Sequence, residues 1–161
     1  MPLIKDGKIV TDTFTAVADD APLPEGGILV SLARFQKDRD ALLARNTPLA
    51  VRLKSDENPE KLGDDVQRFA AIALELPKFR DGRAFSWARM LRTRLNYKGE
   101  IRAVGDFLYD QISYLHRVGV NAFEVPEGFT EGRYAQALSE MTYVYQPSAD
   151  GKRTIRDLRA G

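Results

Sequence analysis

Residues 71–83 read Ala71-Ile72-Ala73-Leu74-Glu75-Leu76-Pro77-Lys78-Phe79-Arg80-Asp81-Gly82-Arg83, and an amphipathic helix is predicted to follow from near Phe85. The apolar part of this stretch, residues 71–76, is typical of a buried strand. A strand, a loop and a helix in this order form the unit of parallel α/β proteins, which place ligands at the carboxyl ends of their strands. The loop holds three cations, one carboxylate and a glycine. This composition predicts a small anionic ligand or an acidic partner surface.

Four further strand–helix units accompany this one. Strands are predicted at 28–32, 49–53, 100–104 and 122–125, and helices are predicted after Arg34, Asn58, Asp106 and Thr130. Such units imply right-handed crossovers and a mostly parallel sheet of five strands. We expect an α/β fold with an open, doubly wound sheet, and a partial β/α barrel is the alternative. A full eightfold barrel needs about 200 residues or more, and the chain has 161.

The two ends of the chain differ in character from this body. Residues 3–10 are predicted to form a small hairpin, because Asp6-Gly7 supplies the positive φ angles of a tight turn. An acidic loop follows, up to Gly27. We therefore divide the chain into the hairpin and acidic loop at 1–27, an α/β domain at 28–142 and a polar tail at 143–161. The tail is expected to be mobile or docked on a partner.

The composition argues against several classes of protein. The formal net charge is +1, which gives no argument for binding nucleic acid or a membrane. The chain has no cysteine, which excludes disulfides, thiolate zinc sites and thiolate-bound iron–sulfur clusters. No stretch approaches the roughly 20 apolar residues of a membrane helix, and the first residues do not resemble a signal peptide. We expect a cytoplasmic protein that binds neither a membrane nor nucleic acid.

Positive charge is concentrated around the loop quoted above, since residues 78–102 hold eight cations and two anions. Arg80 and Arg83 are suited to binding phosphate, sulfate or carboxylate through paired donors. Lys54 and Lys78 are predicted at the same edge of the sheet, and Gly82 permits close approach of the backbone to a ligand. These four cations are the predicted anion-binding residues.

Two carboxylates, Asp81 and Asp106, are the candidates for a catalytic acid–base group. In a purely structural alternative they fix the loops: one of them pairs with Arg80, and Asp106 caps the next helix. With Asp110 they resemble Mg²⁺ ligands, but carboxylates scattered over two loops do not define a metal site, and we predict none. We expect the turn beyond the third strand and the aspartate beyond the fourth to open onto one hollow.

No residue pattern indicates a cofactor held by the chain itself. Neither the glycine-rich dinucleotide loop nor a Walker sequence is present. The one histidine, His116, has no spaced partner, which leaves no catalytic triad to propose. Arg89 and Arg92, three residues apart on the predicted third helix, are expected to lie on its solvated face, with an extended basic surface as the alternative.

The middle of the chain resembles a bacterial family of unknown function. The resemblance is carried by Phe79-Arg80-Asp81-Gly82-Arg83, Leu91-Arg92, Gly99-Glu100, Arg102-Ala103-Val104-Gly105-Asp106, Asp110-Gln111, Arg117 and Gly119. Members of that family are described as probable oxidoreductases of assimilatory sulfite reduction, and their genes accompany sulfite reductase. The resemblance implies a role near sulfite and sulfate assimilation, and it supplies no catalytic residues.

Three functions are expected from the residues and the resemblance together. The first is an accessory protein that binds sulfite reductase, or another protein of sulfur assimilation, and has a small-anion site. The second is a small α/β enzyme that acts on an anionic metabolite of sulfur assimilation, with any redox cofactor held by a partner. The third is a module that senses a nucleotide or metabolite. Whether the chain is an enzyme, and whether it forms a homodimer, stays open at this point.

Overall fold

The computed structural model describes residues 1–140, Thr154 and Arg159, so the predicted tail at 143–161 otherwise lies outside the described residues. A single sheet forms the centre of the fold. In chain order the strands are β1 (Leu3–Lys5), β2 (Lys8–Val10), β3 (Phe14–Ala16), β4 (Gly27–Ser31), β5 (Leu49–Leu53), β6 (Ala71–Leu76), β7 (Glu100–Gly105) and β8 (Ala122–Glu124). Across the sheet they lie in the order β2-β1-β8-β7-β6-β5-β4-β3. Neighbouring strands from β3 to β8 are parallel, and the β1–β2 hairpin adds antiparallel to β8.

The described helices cover one side of this sheet. They are α1 (Leu32–Lys37), α2 (Arg39–Leu43), α3 (Arg83–Thr93), α4 (Gln111–Arg117) and α5 (Glu131–Ser139), with a 3-10 helical segment at Pro59–Arg68. Because β3 to β8 follow one another in chain order, right-handed crossovers place their connecting helices on the same side. Alternate strand residues such as Val51, Leu74 and Ile101 share one apolar core with helix residues such as Leu91 and Leu115. None of the described helices is long and apolar enough to span a bilayer.

The structure confirms the α/β class and corrects the strand number and the winding. The five predicted strands correspond to β4–β8, with ends that agree within one residue. Three short strands, β1, β2 and β3, extend the sheet from five strands to eight. A doubly wound sheet needs a reversal of strand order, and the order from β3 to β8 has no reversal. The architecture is the alternative, a curled open sheet that forms a half-barrel.

The amino-terminal residues provide both edges of the sheet. Asp6 and Gly7 have φ angles of 49° and 83°, as the predicted tight turn requires. The hairpin is integral to the sheet, because β1 pairs along its full length with β8 and leaves β2 as one edge. At the other edge, β3 pairs parallel to β4.

Side-chain caps explain where two of the helical segments begin, and one predicted cap is wrong. Asn58 and Thr130 each accept a hydrogen bond from a backbone N–H of the first turn that follows, as expected from the sequence. Asp106 does not cap α4, because that helix begins at Gln111. A helix that started directly after Asp106 would include Leu108, but Leu108 precedes the helix, in an exposed loop.

Candidate functional site

The loop between β6 and α3 projects from the carboxyl edge of the sheet. Pro77 follows the strand directly and has no N–H to continue the ladder. The amide of Asp81 donates to the carbonyl of Lys78 at 2.9 Å, which closes a turn. Lys78, Phe79 and Arg80 are all exposed on this turn. The turn therefore presents two cations and an aromatic ring to solvent.

Arg83 and Asp81 form a two-point ion pair where α3 begins. Arg83 Nε lies 3.0 Å from Asp81 Oδ1, and Arg83 Nη2 lies 2.8 Å from Asp81 Oδ2. Arg83 Nη2 also donates to Ser55 Oγ at 3.0 Å, which ties the loop to the segment after β5.

These contacts decide the chemical state of Asp81. Hydrogen bonding of the Asp81 carboxylate lowers its pKa far below its usual range. The Arg83 guanidinium has the largest effect, and the Ser55 hydroxyl has the next largest. The resulting stabilisation of the folded state is complete above about pH 3.9, which is the pKa of an aspartate in an unfolded chain. It is lost as the pH falls towards the pKa of Asp81 in the folded state. Asp81 is thus the fixed counter-charge of Arg83, a setting poorly suited to proton transfer near neutral pH.

Three cations at the same edge have no carboxylate partner within the described part of the chain. They are Lys54, which follows β5, and Lys78 and Arg80, which follow β6, and all three are exposed. The guanidinium carbon of Arg80 lies 5.4 Å from the centroid of the Phe79 ring, a cation–π distance. The four predicted anion-binding residues thus divide into Arg83, which is compensated by its neighbour, and three cations that are not.

Gln111 joins this loop to the loop beyond β7. Its Nε2 donates to the carbonyl of Phe79 at 2.8 Å, and its Oε1 accepts from the amide of Leu108 at 2.9 Å. The amide of Asp106 donates to the carbonyl of Leu76 at 2.7 Å. The turns beyond β6 and β7 are therefore direct neighbours. The side chain of Asp106 is exposed at this same edge.

Gly105 allows these two turns to approach so closely. Its φ angle is 101°, which side chains other than glycine rarely adopt. A Cβ atom at this position would also collide with the carbonyl oxygen of Leu76. The glycine that ends β7 is therefore required by the backbone geometry of the site.

Two large apolar side chains are exposed on these neighbouring loops. Phe79 is 41% exposed and Leu108 is 45% exposed. Exposed apolar groups beside arginine and aromatic side chains are typical of surfaces that bind other proteins. We define Lys54, Lys78, Phe79, Arg80 and Leu108 as the loop surface. The sequence predicts the three cations of this surface and misses its two apolar members, Phe79 and Leu108.

Comparison with known proteins assigns the chain to a family. Residues 50–156, well over half of the chain, match the family described as "Bacterial protein of unknown function (DUF934)". The chain belongs to this family. The matched region contains the whole loop surface and begins after β4. The family description gives no activity, so the role in sulfite assimilation stays a prediction. No curated protein and no solved structure matches the chain.

A second group of charged residues lies on the sheet face opposite the described helices, which we call the inner face. One row of this face runs in register across six strands and consists of Ser31, Arg52, Ala73, Arg102, Ala122 and Lys5. Arg52 Nε lies 3.1 Å from Glu75 Oε2 on the next strand. This pair is partly exposed, whereas Arg102, further along the row, is buried.

Four charges at the amino ends of the strands form a network with two buried members and two partly exposed ones. Arg102 and Glu100 are 4% and 6% exposed. Arg102 donates to Asp12 Oδ2 at 2.7 Å and to Glu100 Oε1 at 2.8 Å, and Lys5 Nζ lies 3.0 Å from Glu100 Oε2. Burial lowers the pKa of Arg102, but hydrogen bonds and charge from Asp12 and Glu100 together outweigh it and raise the pKa. The network ties β1, β7 and the β2–β3 connection together.

The sequence contains a signal for the inner face that the doubly wound prediction overlooks. Charged residues stand at alternate positions of strands that otherwise read as apolar: Arg52 in β5, Glu75 in β6, and Glu100 and Arg102 in β7. Strands covered by helices on both faces are apolar nearly throughout. The alternation therefore indicates a sheet with helices on one face only.

Two further observations concern the described residues outside these two areas. The described residues contain no group of three or more His, Cys, Asp or Glu side chains placed to hold a metal ion. His116 Nδ1 lies 3.4 Å from the Tyr134 hydroxyl, at the packing of α4 against α5.

Proposed function

We propose that the protein is an accessory protein that docks onto an acidic surface of sulfite reductase through the loop surface. The resemblance noted in the sequence suggests the partner, and the loop surface supports the mode of binding. The observation that carries the proposal is the exposure of Phe79 and Leu108 on neighbouring loops joined by Gln111, with uncompensated cations beside them.

The cations provide the attraction to an acidic partner. No carboxylate among the described residues pairs with Lys54, Lys78 or Arg80. A carboxylate of the partner can therefore bind these cations without breaking an ion pair within the chain. Arg80 can also bind a carboxylate through two parallel hydrogen bonds. Arg83 acts indirectly, because its ion pair with Asp81 holds the loop in place. A small oxyanion such as sulfate is expected to bind the same cations and to compete with the partner.

The two apolar side chains provide the favourable burial. Complete burial of a leucine or phenylalanine side chain contributes roughly 1.5–3 kcal/mol relative to an exposed one. Part of this free energy is offset by the entropy lost on association. Phe79 and Leu108 are therefore expected to set the lifetime of the complex, and the cations its rate of formation and its dependence on salt.

Charge reversal tests the proposal. The double variant Lys78→Glu/Arg80→Glu is expected to weaken binding to the sulfite reductase of the same bacterium by at least about tenfold, roughly 1.4 kcal/mol. Isothermal titration calorimetry with the intact chain gives the measurement. The matched control is Lys61→Glu/Lys98→Glu, which changes the charge equally at two exposed cations outside the loop surface. It is expected to bind within about twofold of the wild type.

Two results would refute the proposal. One is the absence of association with sulfite reductase at micromolar concentration. The other is equal affinity of the loop variant and the control variant, because the loop surface would then lie outside the interface.

A further inference from the structure

A cavity of about 380 Å³ opens on the inner face at the amino ends of β5, β6 and β7. It lies at the opposite ends of the strands from the loop surface. Its volume falls within the roughly 300–1,000 Å³ of pockets that bind small molecules. The apolar part of its wall includes Leu3, Val10, Phe14 and Pro48. Three members of the charge network, Lys5, Glu100 and Arg102, lie on its polar side.

One partly exposed cation at this cavity, Lys5, favours an anion. Lys5 and Arg102 line it together with one carboxylate, Glu100. Asp12, the second anion of the network, does not line it. Asp12 still compensates Arg102 at 2.7 Å, so the two cations and two carboxylates of the network balance, and the preference for an anion rests on Lys5, whose side chain is partly exposed.

Several hydrogen-bond donors at the cavity are unused. The Lys5 ammonium has three N–H groups and one acceptor, Glu100, and its side chain is partly exposed. Thr11 and Thr13 also line the cavity, and the hydroxyl of neither has a hydrogen-bond partner in the described part of the chain. Phe14 lies over the guanidinium of Arg102, with 5.6 Å between the ring centroid and the guanidinium carbon. An ammonium and two hydroxyls thus remain available to a ligand beside an apolar wall.

Stability alone does not explain why charges are buried here. Removing charged groups from water is costly, and apolar residues of similar volume often stabilise a fold as well or better. Glu100 and Arg102 nevertheless lie buried beside the cavity, each fixed by the other. Such an arrangement holds a polar wall rigidly in position, as ligand sites require.

We propose that this cavity binds a small organic anion. The carboxylate or sulfonate group of the ligand would lie on Lys5 and the threonine hydroxyls, and its apolar body would pack against Val10 and Phe14. This site is separate from the loop surface, so its test is independent of sulfite reductase binding.

Benzoate is the probe, and amide chemical shifts of the ¹⁵N-labelled full chain are the readout. Benzoate is expected to shift the signals of residues 10–14 and 100–102, with a dissociation constant of about 1 mM or tighter. Benzyl alcohol, which lacks the charge, and acetate, which lacks the ring, are expected to bind at least about tenfold more weakly. Lys5→Gln is expected to weaken benzoate binding by about tenfold or more.

The control variant is Lys8→Gln, which changes the neighbouring strand of the same hairpin. Lys8 pairs with Glu131 outside the cavity, so this variant is expected to bind benzoate like the wild type. If Lys5→Gln unfolds, Thr11→Val/Thr13→Val replaces it, with a loss of at least about threefold expected. The proposal is overturned if benzoate shifts no cavity signal up to about 20 mM. It is also overturned if benzyl alcohol binds as well as benzoate, or if the folded cavity variant binds like the control.

Discussion

Replacing Arg102 by alanine is expected to lower the free energy of unfolding by about 3–5 kcal/mol. The substitution removes the main partner of Glu100, whose carboxylate is buried and would keep only Lys5 as a counter-charge. It also frees Asp12 and so loosens the connection between β2 and β3. Equilibrium unfolding in urea, followed by circular dichroism, gives the measurement.

A residue in the same cross-strand row provides the control. Arg52 pairs with Glu75, but both side chains are partly exposed. Arg52→Ala is therefore expected to lower the free energy of unfolding by less than about 1 kcal/mol. The double variant Glu100→Leu/Arg102→Met is expected to recover much of the loss, because no unpaired charge remains buried. Equal costs for Arg102→Ala and Arg52→Ala would show that the network is not buried as described.

Replacing Arg92 by alanine is expected to lower the free energy of unfolding by roughly 2–4 kcal/mol. Its guanidinium donates to the carbonyl of Gly119 at 2.8 and 3.0 Å, and to those of Tyr97 and Gly99 at 2.8 Å each. One side chain therefore ties the end of α3 to the segments that precede β7 and β8. Arg92→Lys is expected to lose most of the same stability, because one ammonium does not reproduce the fork of donors.

Arg89 is the matched control for Arg92 on the same helix. It is exposed, and Arg89→Ala is expected to change the unfolding free energy by less than about 0.5 kcal/mol. Similar losses of unfolding free energy in Arg92→Ala and Arg89→Ala would contradict this prediction. The carbonyl groups bound by Arg92 would then find other hydrogen-bond donors, such as water, at no loss of stability. The sequence places both arginines on a solvated face, and the structure assigns Arg92 to a structural role instead.

Strands β4–β8 are predictable because each is a short apolar run bounded by glycine, proline or polar residues. Pro77 ends β6, and Gly105 ends β7 at a backbone conformation that suits glycine. The winding depends on strand order, which local sequence does not encode. Helices on two faces or on one give the same succession of strand, loop and helix. Here only the alternating charges, such as Glu100 and Arg102, distinguish the two architectures.

The candidate site is predictable in its residue types and less so in its contacts. Lys78 and Arg80 follow a strand directly, and the general rule for parallel sheets places them at the ligand-binding edge. The bond from Gln111 to the Phe79 carbonyl joins residues 32 positions apart, so it depends on the packing of two loops. Asp106 is a good helix cap by composition and so predicts a helix that includes Leu108, although the helix begins five residues after Asp106.

Hydrogen exchange on the mixture of this protein with sulfite reductase tests the central claim most directly. Mass spectrometry of the full chain, alone and with the enzyme, reports which backbone amides the complex protects. The docking proposal predicts protection of peptides that cover residues 78–82 and 106–111, with no change in the β1–β2 hairpin. Protection confined to other surfaces, or unchanged exchange at enzyme concentrations that saturate binding, would contradict it.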